Sequence, residues 1–248
     1  MVKIYHAGPA RSLRIVWLME ELGEPYQLES VSFPLDAAFL AISPTATLPT
    51  IVDGDIVMGE SIAILQYLTG RRLQKSMELG LTVGPNPDPA AYAEHLQFLH
   101  LGEASLAAPL SLALRTQRLA PEDQKANFTA ELCRNVFRSR LAAVDKHLAD
   151  GRSYLTGARL TIADISVGYA LHLAQIRGAE ALLTPRTLAY LERLRSRPAF
   201  QRAVAKSRAC RAPSGPQARP RRLRACARWR GTAGSGVRGG RRGRSRRP

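Results

Sequence analysis

Apolar positions along the chain change their rhythm near residue 70. Before it they come in short runs. VKIY at 2–5 is a strand-length run, and the loop HAGPARS leads into SLRIVWLMEELG, where Leu13, Val16 and Trp17 share one helical face and Ile15, Leu18 and Leu22 an adjacent one. That helix is apolar around much of its girth, and Gly23 is its stop. YQLESVSF at 26–33 is a second strand, and DAAFLAIS at 36–43 a short helical or irregular stretch. TIV and IVM flank Asp53-Gly54-Asp55, a strong hairpin signal, and helical spacing resumes from Ser61 to Gly70 with Ile62, Leu65 and Leu68. Residues 71–89 carry Gly, Pro and Asn in the manner of a linker. Helical spacing then covers 90–118, 122–149, 161–176 and 187–207, with Phe137, Leu141, Val144 and Leu148 in the i, i+4, i+7, i+11 register of a buried stripe.

The order β-α-β-α-β-β-α resembles a thioredoxin-like domain, and the remainder of the patterned chain is all-α. The expected division is an α/β thioredoxin-like domain at 1–75, a linker at 76–89, an all-helical domain at 90–207 and a tail at 208–248. The handedness rule makes the first two strands parallel. In LTIADISVGYAL, Thr161 is a suitable helix cap, Asp164 stands where it reaches back to the cap amide, and Leu160 and Ile165 form a hydrophobic staple. That constellation reads as a helix start, with no chemistry attached. Pro49 stands just before the third strand, where proline removes a ladder donor. The thioredoxin-like resemblance implies that the Leu48–Pro49 bond is cis and that the Leu48 backbone is an open edge, to which an extended peptide pairs as an added strand.

Composition narrows the function classes. The 248 residues include three scattered cysteines, Cys133, Cys210 and Cys226, too few for a disulfide framework or a metal site. No run of about 18 uncharged apolar residues suggests a membrane span, and the first residues lack a signal-peptide core, so a cytoplasmic protein is expected. None of the five histidines pairs at helical i, i+4 metal spacing. The net charge of +16 is unevenly placed: fourteen arginines and no carboxylate lie in 208–248, whereas 1–207 holds 22 basic and 20 acidic residues. The Arg-, Gly- and Pro-rich tail lacks apolar periodicity and is expected to be disordered. Two readings of it compete. One is a segment that binds RNA through counterion release; the other is the product of a reading-frame change in GC-rich DNA.

Four stretches, IYHAGPARSLRIVWLMEELG, SPTATLPTIVDGD, ESIAILQYL and LTGARLTIADISVGYAL, appear in order and together resemble a bacterial cytosolic glutathione transferase over about residues 1–207. The resemblance implies that glutathione lies against the Leu48 backbone beside Pro49. Ser61 then holds the γ-glutamyl carboxylate at a helix start, and Glu60 holds the ammonium or the turn beneath. The competing reading is that Glu60 and Ser61 only cap the helix. Thr47 offers one hydrogen bond where many relatives place a basic or amide residue, with His6 or Arg14 as substitutes. A homodimer is also implied.

The chemistry implied is addition of the glutathione thiolate to a small hydrophobic electrophile. Lowering a thiol from about 8.5 by about two units takes roughly 2.7 kcal/mol of thiolate stabilisation. One hydrogen bond and a helix N-terminus are enough. Ser12 is the first candidate donor, as in serine-type families; Tyr5 is the second and Arg11 the third. No CxxC occurs in the loop, which speaks against dithiol exchange. The electrophile is expected between the domains, against Phe98, Leu101, Leu106 and Arg115, with His6 and His100 as possible cleft residues. The rival class is a noncatalytic scaffold of the same fold that binds a protein or RNA.

Overall fold

A computed structural model describes residues 1–8, 10–43 and 45–210. Of the tail expected at 208–248, residues 208 and 209 instead close a helix that runs Pro198–Ala209, and from residue 211 the tail, with the disorder, RNA and reading-frame readings attached to it, lies outside the described residues. Strands β1 (Val2–His6), β2 (Tyr26–Ser30), β3 (Thr50–Asp53) and β4 (Ile56–Met58) form one sheet in the order β2-β1-β3-β4. β1 and β2 are parallel, as the handedness rule requires for strands joined through α1 (Leu13–Leu22). β3 runs antiparallel to both β1 and β4. The hairpin turn uses Gly54 at φ +63°, a conformation glycine adopts without steric cost. Helices α2 (Ala37–Ile42) and α3 (Ser61–Arg71) complete this unit.

α1 is buried on nearly its whole circumference, as its two apolar faces foretold, and even Arg14 and Glu20 lie inside. The sheet separates two apolar clusters. Val2, Ile4 and Ile51 join α1, α3 and the helical unit in one continuous core, while Tyr5 turns to the other face against Val31 and Phe39. Alternation along a strand dictates that split.

Four boundaries differ from the sequence expectation. A short helix, α4 (Leu73–Glu78), occupies the start of the stretch read as linker. The expected helix at 90–118 is three pieces: α5 (Pro89–His100), a π-helical segment Leu101–Ala107 and α6 (Ala108–Leu119). The stretch 122–149 contains α7 (Phe128–His147), opened by the Asn127 cap, whose side chain accepts from Ala130 N–H at 2.9 Å. The segment 187–207 is two helices, α9 (Pro185–Arg195) and α10 (Pro198–Ala209), because Pro198 has no amide hydrogen and its ring opposes a continuing helix. The stripe Phe137, Leu141, Val144 and Leu148 is buried as its register required.

α8 (Ile162–Ile176) is the axis of the helical unit. Its cap is the box read from sequence: Thr161 Oγ1 accepts from Ala163 N–H at 3.2 Å, and Thr161 N–H donates to Asp164 Oδ2 at 2.8 Å. The fully buried Asp164 carboxylate also accepts from Leu155 N–H (2.8 Å) and Tyr190 O–H (2.7 Å), so one side chain fastens the 155–161 loop and α9 to α8. Leu160 and Ile165, the staple pair, are both buried.

Candidate active site

The β1–α1 loop, the turn before β3 and the start of α3 converge at one end of the sheet. A Cβ added at Gly59 would stand 2.9 Å from Thr45 Oγ1, 3.7 Å from Thr47 Oγ1 and 3.8 Å from the Pro49 carbonyl, so the 45–49 turn lies directly against the approach to Glu60. The Leu48–Pro49 bond is cis. Leu48 is half-buried, Pro49 is buried, and the ladder pairs of β3 begin only at Thr50. Glu60 is exposed and has φ +63°, a region a non-glycine side chain occupies at a cost of order 1–3 kcal/mol and one that clusters at ligand clamps.

Ser61 opens α3, and its hydroxyl lies beside the fully buried Arg14. Arg14 Nη1 donates to Ser61 Oγ at 3.0 Å and to Glu103, and its Nη2 donates to the carbonyls of Gly102 (3.2 Å) and Ser166 (3.1 Å). The guanidinium stacks over Tyr169, with Cζ 4.5 Å from the ring centroid. Burial works against the Arg14 charge, and the Glu103 carboxylate opposes that effect. Because Arg14 has only protons to give, Ser61 Oγ accepts there, and its own hydrogen remains for another acceptor.

Glu103 owes its position to the π-helical segment. Five-residue hydrogen-bond spacing shifts the phase of the side chains, a device often found at functional sites. It delivers Glu103 to both arginines, with Arg11 Nε donating to Glu103 Oε1 at 2.8 Å. Gly102 permits it: a Cβ there would meet Ser166 Oγ at 2.4 Å and Val167 N at 2.7 Å. Neither Glu103 nor the double duty of Arg14 was found from sequence. The one available signal was Gly102 within an otherwise helical run.

The thiolate candidates part company here. Ser12 is fully buried, and its Oγ lies 2.7 Å from His6 Nδ1, while His6 Nε2 lies 3.3 Å from the Ser207 carbonyl. A carbonyl only accepts, so Nε2 carries the ring hydrogen and Nδ1 accepts the Ser12 proton. Burial holds His6 below its ordinary pKa, keeping it neutral, and its bond to the Ser207 carbonyl acts in the opposite sense. The Ser12 hydrogen is therefore directed inward rather than offered to the cleft, unlike the sequence expectation. Tyr5 is displaced for a different reason: its ring stacks on Phe39, centroids 5.5 Å apart, on the far side of the sheet. Arg11 is the partly exposed one of the three, at 30 %. Of the residues expected around the electrophile, Phe98 and Leu106 are core, Leu101 packs against it, and Arg115 and His100 are exposed.

Residues 10–71 match the family of glutathione S-transferase N-terminal domains and 127–202 that of the C-terminal domains, together more than half of the chain. The chain belongs to the glutathione S-transferase family. Among relatives in this family, glutathione S-transferase 3 of Schizosaccharomyces pombe is 28% identical over 195 residues, 71% of this chain and 75% of that protein. Glutathione S-transferase 3 of Zea mays is 28% identical over 206 residues, 78% of this chain and 88% of that one. The crystal structure of a glutathione transferase from Methylococcus capsulatus superposes with a TM-score of 0.71 at 25% identity, covering 84% of this chain and all of that one. The transferase fold, a four-stranded mixed sheet followed by a helical unit, is thus the frame in which Ser61, Arg14 and Glu103 meet.

Proposed function

We propose that the protein is a glutathione transferase. Glutathione lies across the turn at Thr47–Pro49, with its cysteinyl backbone against Leu48, its γ-glutamyl carboxylate on Ser61 and its ammonium near Glu60. The observation that carries this reading is the Arg14–Ser61 bond, which spends the acceptor side of the hydroxyl and leaves its proton for a carboxylate, at a helix start that itself favours negative charge. A cap alone gives no reason to back Ser61 with a buried guanidinium.

The reaction is attack of the glutathione sulfur on an electrophilic carbon of a small apolar molecule. Arg11, beside the first turn of α1, supplies positive charge for the thiolate; Ser12 and His6 shape the loop from beneath. A cytoplasmic homodimer fits the reading, supported by exposed apolar Ile56 and Val57 on the edge strand β4 and by Leu73 and Met77 on α4.

Titration with glutathione tests the proposal. The wild-type chain is expected to bind, and Ser61→Ala to weaken binding about 10- to 100-fold, the loss of one charge-assisted hydrogen bond of about 1.5–3 kcal/mol. Absence of binding to the wild-type chain would favour the noncatalytic scaffold.

A further inference from the structure

A second concavity opens on the other flank of the β1–α1 loop. It measures about 530 Å³, within the range of small-molecule sites, and lies between the loop at Gly8, the start of α1, the end of α8 and α10. Its apolar surface comes from Leu13, Ile176 and Val204. Two of its lining residues, His172 and Ser207, are only 6% and 9% exposed, and among the described residues His172 Nδ1 and Ser207 Oγ have no hydrogen-bond partner. Both atoms are closed to a water-sized molecule, so they stand behind the lining, and the choice of ligand falls to the side chains at the mouth of the cavity.

Charge selects the ligand further. Arg177 and Arg208 stand at the exposed side of the cavity, and among the described residues neither makes a side-chain hydrogen bond or an ion pair. Among the described residues, no Asp or Glu lines the cavity. The nearby Arg195 is already bound to Glu192 (2.9 Å) and Gln175 (2.6 Å). Burial and the charges of Arg195 and Arg208 hold His172 down to about pKa 4, so near neutrality it presents one N–H donor and adds no charge of its own.

We propose that this cavity holds the second substrate of the transferase, and that this substrate is a small apolar molecule bearing a carboxylate, with the acid toward Arg177 and Arg208 and the apolar body against Leu13 and Val204. The proposal rests on the glutathione reading for its role, but the binding chemistry stands on the cavity alone. His172 and Ser207 form the polar floor behind the apolar body, and His6, with both nitrogens engaged, is wall rather than ligand.

The test uses the full chain and two inert probes of nearly equal shape, 4-nitrobenzoate and its neutral amide 4-nitrobenzamide, titrated calorimetrically without glutathione. The acid is expected to bind about tenfold more tightly than the amide, about 1.4 kcal/mol. That preference should vanish in the double variant Arg177→Gln/Arg208→Gln, whose changes are at exposed positions. Val204→Trp, which fills the cavity, should abolish binding of both probes. Equal affinities in the wild type, or a preference that survives the double variant and so belongs to the arginine-rich tail, overturns the proposal. Saturating S-methylglutathione separates the two sites. Continued binding of the acid supports a distinct pocket, and displacement shows that the acid merely occupies the tripeptide's place. S-methylglutathione binding with no acid preference refutes the cavity proposal alone; acid binding with no tripeptide binding refutes the glutathione reading and leaves the cavity's chemistry intact.

Discussion

Ser12 and Arg11 are neighbours in sequence with opposite environments. One side chain enters the interior to meet His6; the other stays at the cleft. Arg11→Gln is expected to raise the pKa of bound glutathione by about half a unit to one unit, the scale of one partly exposed charge, whereas Ser12→Ala leaves it within a few tenths. Thiolate absorbance across pH 5–9 measures both. An upward shift of a full unit in Ser12→Ala, with none in Arg11→Gln, would restore the serine-type assignment. The buried histidines make a second residue-level prediction. His95 and His172 are each pushed down to about 4, chiefly by burial. An unfolded histidine takes up its proton near pH 6.5, so between 6.5 and 4 the unfolded chain holds more protons than the folded one, and stability falls as pH is lowered through that window. The urea midpoint should drop between pH 7 and 4.5, and the double variant His95→Gln/His172→Gln should drop less.

Elements with a local signature were legible in the sequence, and those set by contacts across the molecule were not. The strand-helix-strand unit, the Asp-Gly hairpin and the α8 cap were all carried by nearby residues: Gly54 at the turn, and Thr161 with Asp164 at the helix start. The π-helical segment was read as plain helix, because its cause is the close passage of Gly102 over Ser166, sixty-four positions away. Ser12 stands at the start of α1 as its sequence position implies, but its bond to His6 was not legible, since His6 is in turn held by the carbonyl of Ser207 on α10. Both kinds of element are testable. Asp164→Ala removes the acceptor of four donors at once (Leu155 N–H, Thr161 N–H, Thr161 O–H and Tyr190 O–H) and should cost about 3–5 kcal/mol, read as a lowered urea midpoint with α9 released first in hydrogen exchange. Gly102→Ala should cost about 1–3 kcal/mol through overpacking against the α8 backbone, while Gly70→Ala, where a Cβ meets nothing within 4 Å, should be neutral or stabilising.

At the scale of the whole molecule, two sets of charges hold the sheet unit to the helical unit. One is Glu103 with Arg11 and Arg14. Glu103→Gln leaves the buried Arg14 without its counter-charge, and a loss of about 3–5 kcal/mol is expected, together with weaker glutathione binding because Ser61 loses its fixed donor. Binding that survives unchanged in a folded Glu103→Gln protein would detach the π-helical segment from the site. The other set binds α1 to α10. Glu21 receives Arg197 through two bonds of 2.7 and 2.8 Å, Glu20 receives Arg202 at 2.7 Å and Lys206, and Trp17 meets Phe200 edge-on with centroids 4.8 Å apart.

That second set has a bearing on biosynthesis. α1 leaves the ribosome early and α10 some 176 residues later, which at about 5–20 residues per second leaves a wait of roughly 10–35 s. During it the nascent chain presents the uncovered flank of α1 to chaperones, and Glu20 and Glu21, still hydrated beside Trp17, keep that flank from being wholly greasy. Arrested translation intermediates that stop short of Pro198 should therefore remain protease-sensitive around α1 and become resistant once α10 has emerged.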